Sequence, residues 1–454
     1  MRMKSIIILS VILSVATSAT AQNIAPPPGF APGGGDTLSG DNSYVAPSPL
    51  PSDSSRDYGI LSQTVPPDSN SNIFGMRGAR GAYAYPPAGG LVGVDSSMPP
   101  LIYMPFPNVW FGAEALIWWT KANPVPVPLV TEGQALGTGP VVLGNQPLSM
   151  PTSTGGRFTL GFGFGMQHEW AFEGAYFFLN NGGSSQGVSS DGSSGSAPLS
   201  FPFYDPTLPG ESSSPIALPG QYAGTAVVTA QTFLQGLDAN IMHNLVHNGD
   251  NFRFDLLGGL RWVNLQESLS FNTSSPNVFP NSPDFFNTFD AFNTQNNFYG
   301  GQVGGRVSLD NGRFFCNATG KMALGATVET VGINGGTFTN YQGSFVSAQG
   351  AYLTQPSNIG SQTATRFAVI PELNMNVGMY LTPWMRLTLG YSFMFISSVA
   401  RPGDQIDRVI NPSQSYAITG NNPANLSGPA RPAPSVQSSD FWAQGINIGL
   451  DVRY

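Results

Sequence analysis

The chain has 454 residues, of which only 10% are charged, together with 55 glycines and 39 prolines. About a quarter of the residues in a soluble protein normally carry charge, so this composition argues against an ordinary soluble protein. The net charge of −8 argues against a nucleic-acid partner. The single cysteine, Cys316, excludes an internal disulfide framework and a zinc site built from cysteines.

The N-terminus has the features of a secretory signal peptide over residues 1–21. Arg2 and Lys4 are basic, an apolar run follows, and Ala19-Thr20-Ala21 matches a small-residue cleavage site, so the mature chain is expected to begin at Gln22. No later run approaches the roughly 18 apolar residues of a transmembrane helix. An exported chain can still span a membrane as a closed β-barrel, because a barrel pairs every backbone group between strands.

Residues 22–105 are rich in proline, glycine and serine, and their apolar residues follow no regular spacing. Such a segment buries too little apolar surface to offset the entropy of ordering it. It is predicted to be disordered and to act as a periplasmic tether that precedes a barrel domain over residues 106–454.

The clearest pattern is an alternation of apolar and polar residues between Phe367 and Val399. Apolar side chains occupy nearly every second position on both sides of Thr382-Pro383, which predicts two strands joined by a tight turn. Each run is longer than the roughly 5–6 residues of a typical soluble strand and suits the about 9–11 residues that cross a bilayer at a tilt. One apolar and one polar face indicate lipid outside and a polar lumen inside.

The same pattern predicts an all-β fold, a closed up-and-down antiparallel transmembrane barrel of about ten strands. Twelve strands stay open as an alternative if sections of a long loop pair with each other. The ten predicted strands cover approximately 108–121, 156–167, 169–180, 231–244, 251–270, 294–309, 313–330, 365–381, 384–400 and 440–454.

Short and long connections alternate strictly between these strands. An up-and-down barrel therefore has all long loops at one end and all tight turns at the other. Outer-membrane barrels have long loops outside and short turns in the periplasm, so both ends of the barrel domain are expected on the periplasmic side. The long connections are 122–155, 181–230, 271–293, 331–364 and 401–439.

Seven acidic and seven basic residues fall on the predicted inner face. A selective pore normally has an excess of one sign at its constriction, whereas equal numbers in a narrow barrel favour a neutral network that fills the interior. A narrow polar conduit stays open as the alternative. The predicted lumen charges are Glu114, Arg157, Glu173, Asp238, Arg253, Asp255, Arg261, Arg306, Lys321, Glu329, Glu372, Arg386, Asp451 and Arg453.

A second group of charges follows the ninth predicted strand, at the end with the long loops. Arg401, Asp404, Asp407 and Arg408 alternate in sign there. Ion pairs that hold the long loop down are the simplest interpretation, and a ligand or ion-entry role is the alternative. The stretch Phe285–Phe292, in the predicted long connection 271–293, could fold inward as a plug or face outward as a binding surface.

Tryptophans cluster near strand ends, as in the aromatic girdles of membrane barrels. Trp118 and Trp119 are adjacent, so only one of them can face the lumen, and the alternation assigns Trp118 to it.

The histidines argue against an enzyme. His168, His243 and His247 are the only three in the chain, and all fall at predicted tight turns, away from the loop end where a general base of an outer-membrane hydrolase would act. His243 and His247 are four residues apart, but a metal pair at that spacing needs a helix. No catalytic, metal or cofactor site is predicted.

Several segments together resemble the putative beta barrel porin-7 family of outer-membrane proteins, from about Trp110 to Tyr454. The resemblance implies an outer-membrane barrel in a Gram-negative-type envelope, and no functional residue carries over from it. Its strongest pieces are Ala113–Trp119 followed by Pro128–Thr131, Gly156–Gly161, Leu256–Arg261, Asn297–Gly304, Val369–Glu372, Arg401–Asp407 and Asp440–Gly445.

Two functions follow from these patterns. The first is a porin that admits small polar solutes passively through an outer membrane. The second is a structural or surface-binding barrel whose lumen is closed by a charged side-chain network and whose long loops form the binding surface. Membrane lipid is the expected partner in both cases.

Overall fold

The computed structural model describes residues 106–133, 139–248, 251–420 and 426–454. The predicted signal peptide and the segment 22–105 lie outside the described residues. Among the residues that are described, no helix is long and apolar enough to cross a membrane.

Nearly all regular structure in this region of the chain is β-strand. Two short 3₁₀ turns and one helical turn, Tyr416–Thr419, lie in the last long loop. In chain order the strands are β1 (Val109–Thr120), β2 (Pro128–Glu132), β3 (Val141–Gly144), β4 (Ser153–Phe164), β5 (Trp170–Ser190), β6 (Leu199–Asp205), β7 (Gly210–Ala217), β8 (Gly224–Asn248), β9 (Phe252–Pro276), β10 (Phe285–Asp310), β11 (Phe314–Tyr341), β12 (Ser344–Gln349), β13 (Gly360–Thr382), β14 (Met385–Ala400) and β15 (Ser438–Arg453).

Ten of these strands form a closed antiparallel ring. Its order is β1, β4, β5, β8, β9, β10, β11, β13, β14 and β15, and β15 pairs again with β1. Every neighbour in the ring is also the next ring strand along the chain, except at the closing pair, where Trp110 lies opposite Arg453 and Trp118 opposite Gly445. The predicted closed, ten-stranded, up-and-down barrel is confirmed.

Short connections join successive ring strands at one end, which we call the turn end. Three of them are tight turns where the sequence predicts them, at 165–169, 311–313 and 383–384. The predicted turn near 247–250 lies partly outside the described residues. The turn at 311–313 contains the glycine that the sequence predicts there. Gly312 has φ +85°, a left-handed conformation that glycine adopts without steric cost. The other end, which we call the loop end, carries all the longer connections between ring strands. The first and last strands both have their outer termini at the turn end, where the backbones of Val109 and Tyr454 exchange two hydrogen bonds.

Five strands extend further toward the loop end than the sequence predicts. β5 ends at Ser190 instead of near residue 180. β8 begins at Gly224, β9 ends at Pro276, β10 begins at Phe285 and β11 ends at Tyr341. Their outward faces become polar there, so the apolar alternation used to set the predicted bounds ends while the backbone pairing continues. The third predicted loop shrinks to 277–284. The stretch Phe285–Phe292 is therefore ladder strand, paired on both sides, and neither a plug nor a free loop.

Loop segments that precede β4 and β8 form a second, four-stranded sheet in the order β3, β2, β6, β7. Leu129, Phe201 and Ile216 of this sheet pack in one buried cluster with inward-facing Val228 and Phe292 of the ring strands. The sheet thus fills the loop end of the barrel. The alternative of twelve ring strands is wrong, because the pairing within loops builds this separate sheet and leaves the ring at ten.

Proline ends one ladder of the ring early. β13 and β14 pair only up to Glu372 and Met394. The backbone N–H of Val369 points toward β14 and donates to the hydroxyl of Ser397 at 2.9 Å, so the residue two positions on, Pro371, lies where the next N–H would donate. Proline has no N–H, and beyond it β13 pairs only with β11.

Candidate functional site

The lumen is the candidate site, because it collects nearly all the charge of the barrel strands. Two cross-strand pairs face each other at the centre of its charged region. Asp238 and Arg261 are register partners on β8 and β9, and Lys321 and Glu372 are register partners on β11 and β13. Period-two alternation points all four inward.

These four side chains form one buried network across the lumen. The Nζ of Lys321 lies 2.5 Å from Asp238 and 3.2 Å from Glu372. Arg261 forms an ion pair with Glu372 and lies 3.7 Å from Asp238, and only 3% of it is exposed. Two acids and two bases therefore neutralise one another where little water reaches them.

A second layer of ion pairs lies closer to the turn end. Arg306 donates to both carboxylate oxygens of Glu173, at 2.7 and 3.0 Å. Asp451 is shared by Arg386 at 2.9 Å and Arg453 at 2.7 Å. The forked geometry of Arg306 with its carboxylate fixes orientation as well as charge.

Each of the fourteen predicted lumen charges has an opposite charge within salt-bridge distance. Sequence alternation placed them on the inner face, but it could not name their partners. The remaining pairs are Glu114 with Arg157 at 3.0 Å, Arg253 with Asp255 at 2.9 Å, and Glu329 with Arg366 at 3.3 Å.

An apolar layer separates these charges, except the Glu329–Arg366 pair, from the loop end. Trp118 is 1% exposed, whereas its neighbour Trp119 is 41% exposed on the outer wall, as the alternation predicts. The indole N–H of Trp118 donates to Asn447 at 2.8 Å, and the guanidinium of Arg157 lies 5.5 Å from the centroid of the Trp118 ring. Trp118 therefore lies at the boundary between the apolar layer and the charged residues below it. The buried residues of the layer include Leu116, Phe177, Leu234, Val263, Leu265, Phe298, Ile370, Met394, Ile396 and Phe441.

The void within this layer is too small for water. It lies between Val263, Phe298, Thr327, Ile396 and Val399 and admits no water-sized sphere. An ion that crossed through this void would have to displace the side chains that line it.

A buried ion pair lies on the loop-end side of the apolar layer. Arg401 donates to both oxygens of Glu267, at 2.9 and 2.7 Å, and its side chain is almost fully buried. It also donates to the carbonyl oxygens of Lys121 and Ala122, so one guanidinium joins the first and last long loops to β9. Sequence reasoning missed Glu267, although the inward alternation of β9 continues through it.

The other three charges of the 401–408 group hold the last loop by surface contacts. Asp404 accepts from the hydroxyl of Ser439 at 2.6 Å, Asp407 pairs with Arg431 at 2.9 Å, and Arg408 pairs with Glu211. These contacts support the interpretation that the group ties the loop down.

Asp290 is a further buried acid that sequence reasoning missed. It lies on the loop-end extension of β10, nine residues closer to the loop end than the exposed Tyr299. It accepts hydrogen bonds from the backbone N–H groups of Leu353 and Thr354 and from the Thr354 hydroxyl. Burial raises the pKa of Asp290 to about 7, although these donors act in the opposite direction. The carboxyl group thus holds the loop 342–359 against the extension.

The described histidine side chains lie at the turn end. His168 Nδ1 lies 3.3 Å from the carbonyl oxygen of Phe106, and the ring of His243 stacks on Trp170 with centroids 4.2 Å apart. The backbone of His247 lies at the end of β8, and its side chain is outside the described residues. No group of three potential metal ligands occurs in the portion of the chain that the structure describes.

A closed antiparallel ring with an apolar outer wall and paired charges inside defines a transmembrane β-barrel of the outer-membrane type. Comparison of the sequence with protein-family models also identifies an outer-membrane β-barrel family. The model described as Putative beta barrel porin-7 matches residues 110–454. The chain belongs to this family and is an outer-membrane β-barrel.

Solved structures with a similar arrangement share little sequence with the chain. The outer membrane protease OmpT from Escherichia coli has 10% identity and a TM-score of 0.36, over 76% of this chain and 97% of that chain. The P. putida toluene transporter TodX has 8% identity and a TM-score of 0.20, over 76% and 90%. A Pseudomonas aeruginosa FadL homologue has 8% identity and a TM-score of 0.20, over 76% and 89%. No curated protein matches the chain.

Proposed function

We propose that the protein is a closed, non-conducting barrel that anchors and presents a folded loop domain at the cell surface. The observation that carries the proposal is the filled lumen. The inner charges are paired, a close-packed apolar layer lies above them, and the four-stranded sheet fills the loop end. In this arrangement the functional surface is the outside of the loop domain.

The rival function is the passive passage of small polar solutes, as in a porin, the word that the family description uses. The charged half of the lumen is the observation that favours it. Passage through the void beside Phe298 needs its lining side chains to move, because that void has no room for water.

The proposal includes an orientation. The loop end is extracellular and the turn end periplasmic, with residues 1–21 as the signal peptide and 22–105 as a periplasmic segment. Its support is the strict alternation of short and long connections, which outer-membrane barrels share. An epitope tag inserted after the exposed Gly343 should bind antibody on intact cells, and a tag at the C-terminus should bind only after the cells are permeabilised.

Planar-bilayer recording of refolded protein tests the function. The full-length protein and a variant without residues 22–105 should both insert and give no steady conductance steps. A variant with Trp118→Gly and Phe298→Gly keeps the four-stranded sheet and the Arg401–Glu267 pair, so it too should give no steady steps. Steady, ion-selective steps from the unmodified protein would overturn the closed-lumen proposal in favour of the porin.

A further inference from the structure

The outer wall of the barrel is concave near the turn end. A groove of about 850 Å³ crosses the faces of β10, β11, β13, β14 and β15. Its lining is mostly apolar and includes Leu309, Phe314, Val377, Leu389 and Ile448, each about half exposed. These side chains face away from the lumen, so the groove opens into the hydrocarbon of the membrane.

An unpaired cation lies at the rim of this groove. Of the thirteen arginines and lysines in the described ranges, twelve form ion pairs with a carboxylate, and Arg313 forms none. Arg313 follows the tight turn between β10 and β11, and its guanidinium lies 5.7 Å from the ring centroid of Phe314, a groove residue. The charge therefore sits where the hydrocarbon meets the aqueous side.

An acid lines the same rim. The carboxylate of Asp310 lines the groove and is fixed by the backbone N–H of Gly312 at 2.8 Å and by the hydroxyl of Tyr380. Arg313 and Asp310 thus present one positive and one negative charge above an apolar trough. This combination matches a zwitterionic headgroup above an acyl chain, and it disfavours an anionic headgroup that has no ammonium for Asp310.

We propose that the groove is a binding site for one phospholipid with a phosphoethanolamine headgroup. One of the two acyl chains lies along the groove, the phosphate pairs with Arg313, and the ammonium group pairs with Asp310. Basic groups at membrane–water boundaries recognise lipid headgroups in this way. The site needs only a membrane-spanning barrel, whereas the assignment of the lipid to the periplasmic leaflet rests on the orientation proposed above.

Mass spectrometry of the intact full-length protein tests the site. The protein is reconstituted in vesicles of phosphatidylcholine with 10% phosphatidylethanolamine, extracted into mild detergent, and analysed for retained lipid. The unmodified protein should retain one phosphatidylethanolamine. Cys316→Trp, which fills the groove, and Arg313→Gln, which removes the rim charge, should each lower its occupancy at least fivefold.

Two control variants match these changes outside the groove. Leu260→Trp adds the same ring to the lipid face of β9, and Arg453→Gln removes the same charge from the lumen side of the turn end. Both should retain the lipid as the unmodified protein does. Equal retention in Cys316→Trp and Leu260→Trp, or in Arg313→Gln and Arg453→Gln, would overturn the site. Stronger retention of phosphatidylglycerol in parallel vesicles would overturn the zwitterionic headgroup. None of these outcomes depends on whether the lumen conducts.

Discussion

Arg261→Ala should destabilise the barrel strongly without creating a pore. Arg261 is buried and pairs with Glu372 while lying 3.7 Å from Asp238. Its removal leaves two buried carboxylates facing the single ammonium of Lys321. Breaking a buried ion pair from one side typically costs about 3–5 kcal/mol, because a buried charge is left uncompensated. With a urea dependence of about 1–3 kcal/mol/M, the unfolding midpoint should fall by about 1 M or more.

The assay is urea unfolding and refolding in phospholipid vesicles, followed by tryptophan fluorescence. A charge-balanced double variant, Arg261→Met with Glu372→Gln, leaves Lys321 paired with Asp238. It should recover most of the lost stability, because replacing both members of a buried ion pair by uncharged residues often changes the free energy of unfolding little. Arg453→Gln is the control for the loss of one arginine from a partly exposed ion pair. Arg453 is partly exposed and Asp451 keeps Arg386, so its loss should stay below about 1 kcal/mol.

A hydrated lumen gives the opposite result. If water and ions surround Arg261, its removal should cost less than about 1 kcal/mol and should change ion selectivity instead. That outcome would refute the packed-lumen reasoning.

Three further predictions concern the apolar layer and the loop end. Phe298→Ala should lower the free energy of unfolding by about 3–5 kcal/mol in the same urea assay, and a loss below about 1 kcal/mol would contradict close packing. Arg401→Ala should cost about 3–5 kcal/mol because it leaves Glu267 buried and unpaired. Arg408 is partly exposed and pairs with a more exposed Glu211, so Arg408→Ala should cost less than about 1 kcal/mol; equal losses would contradict the distinction. The loop 342–359 should become easier to cleave by protease as the pH rises from about 4 to about 7, because burial raises the pKa of Asp290 to about 7 and the unfolded segment releases this proton at lower pH than the folded one. Asp290→Asn should remove that pH dependence, and an unchanged profile in this variant would exclude Asp290 as its cause.

The ring was predictable from sequence because the lipid face enforces alternation. An outward position in hydrocarbon must be apolar, so Leu373, Met375 and Val377 define a strand with no knowledge of its neighbours. The tight turns add their own local signal, as Asn311 and Gly312 do. Strand number and order followed from these two signals together.

The loop end was less predictable because its order depends on burial inside the barrel. β2 and β3 have five and four residues, and β6 contains Pro202, so none of them has the alternation of a long strand. They are stabilised by packing of residues such as Leu129 and Phe201 against the ring. The outer extensions of β8 to β11 were missed for the related reason that their outward faces contact water.

The ion-pair partners were not accessible from sequence. Register partners such as Asp238 and Arg261 follow once two strands are known to be neighbours, but contacts across the lumen depend on barrel width and strand stagger. The pair of Arg306 with Glu173 joins β10 to β5, which are not adjacent in the ring. Glu267 could have been found by continuing the alternation of β9 by a few residues.

Ring closure by β1 and β15 has a consequence for assembly. The barrel wall stays an open sheet until the final sixteen-residue strand, Ser438–Arg453, reaches β1. The four strands of the inner sheet all precede β8 in the chain, so they exist before the wall can seal around them. A chain truncated ahead of β15 is expected to leave that sheet exposed and to aggregate. Pairing of the last strand with β1 is therefore the step that yields a closed barrel able to insert into the membrane.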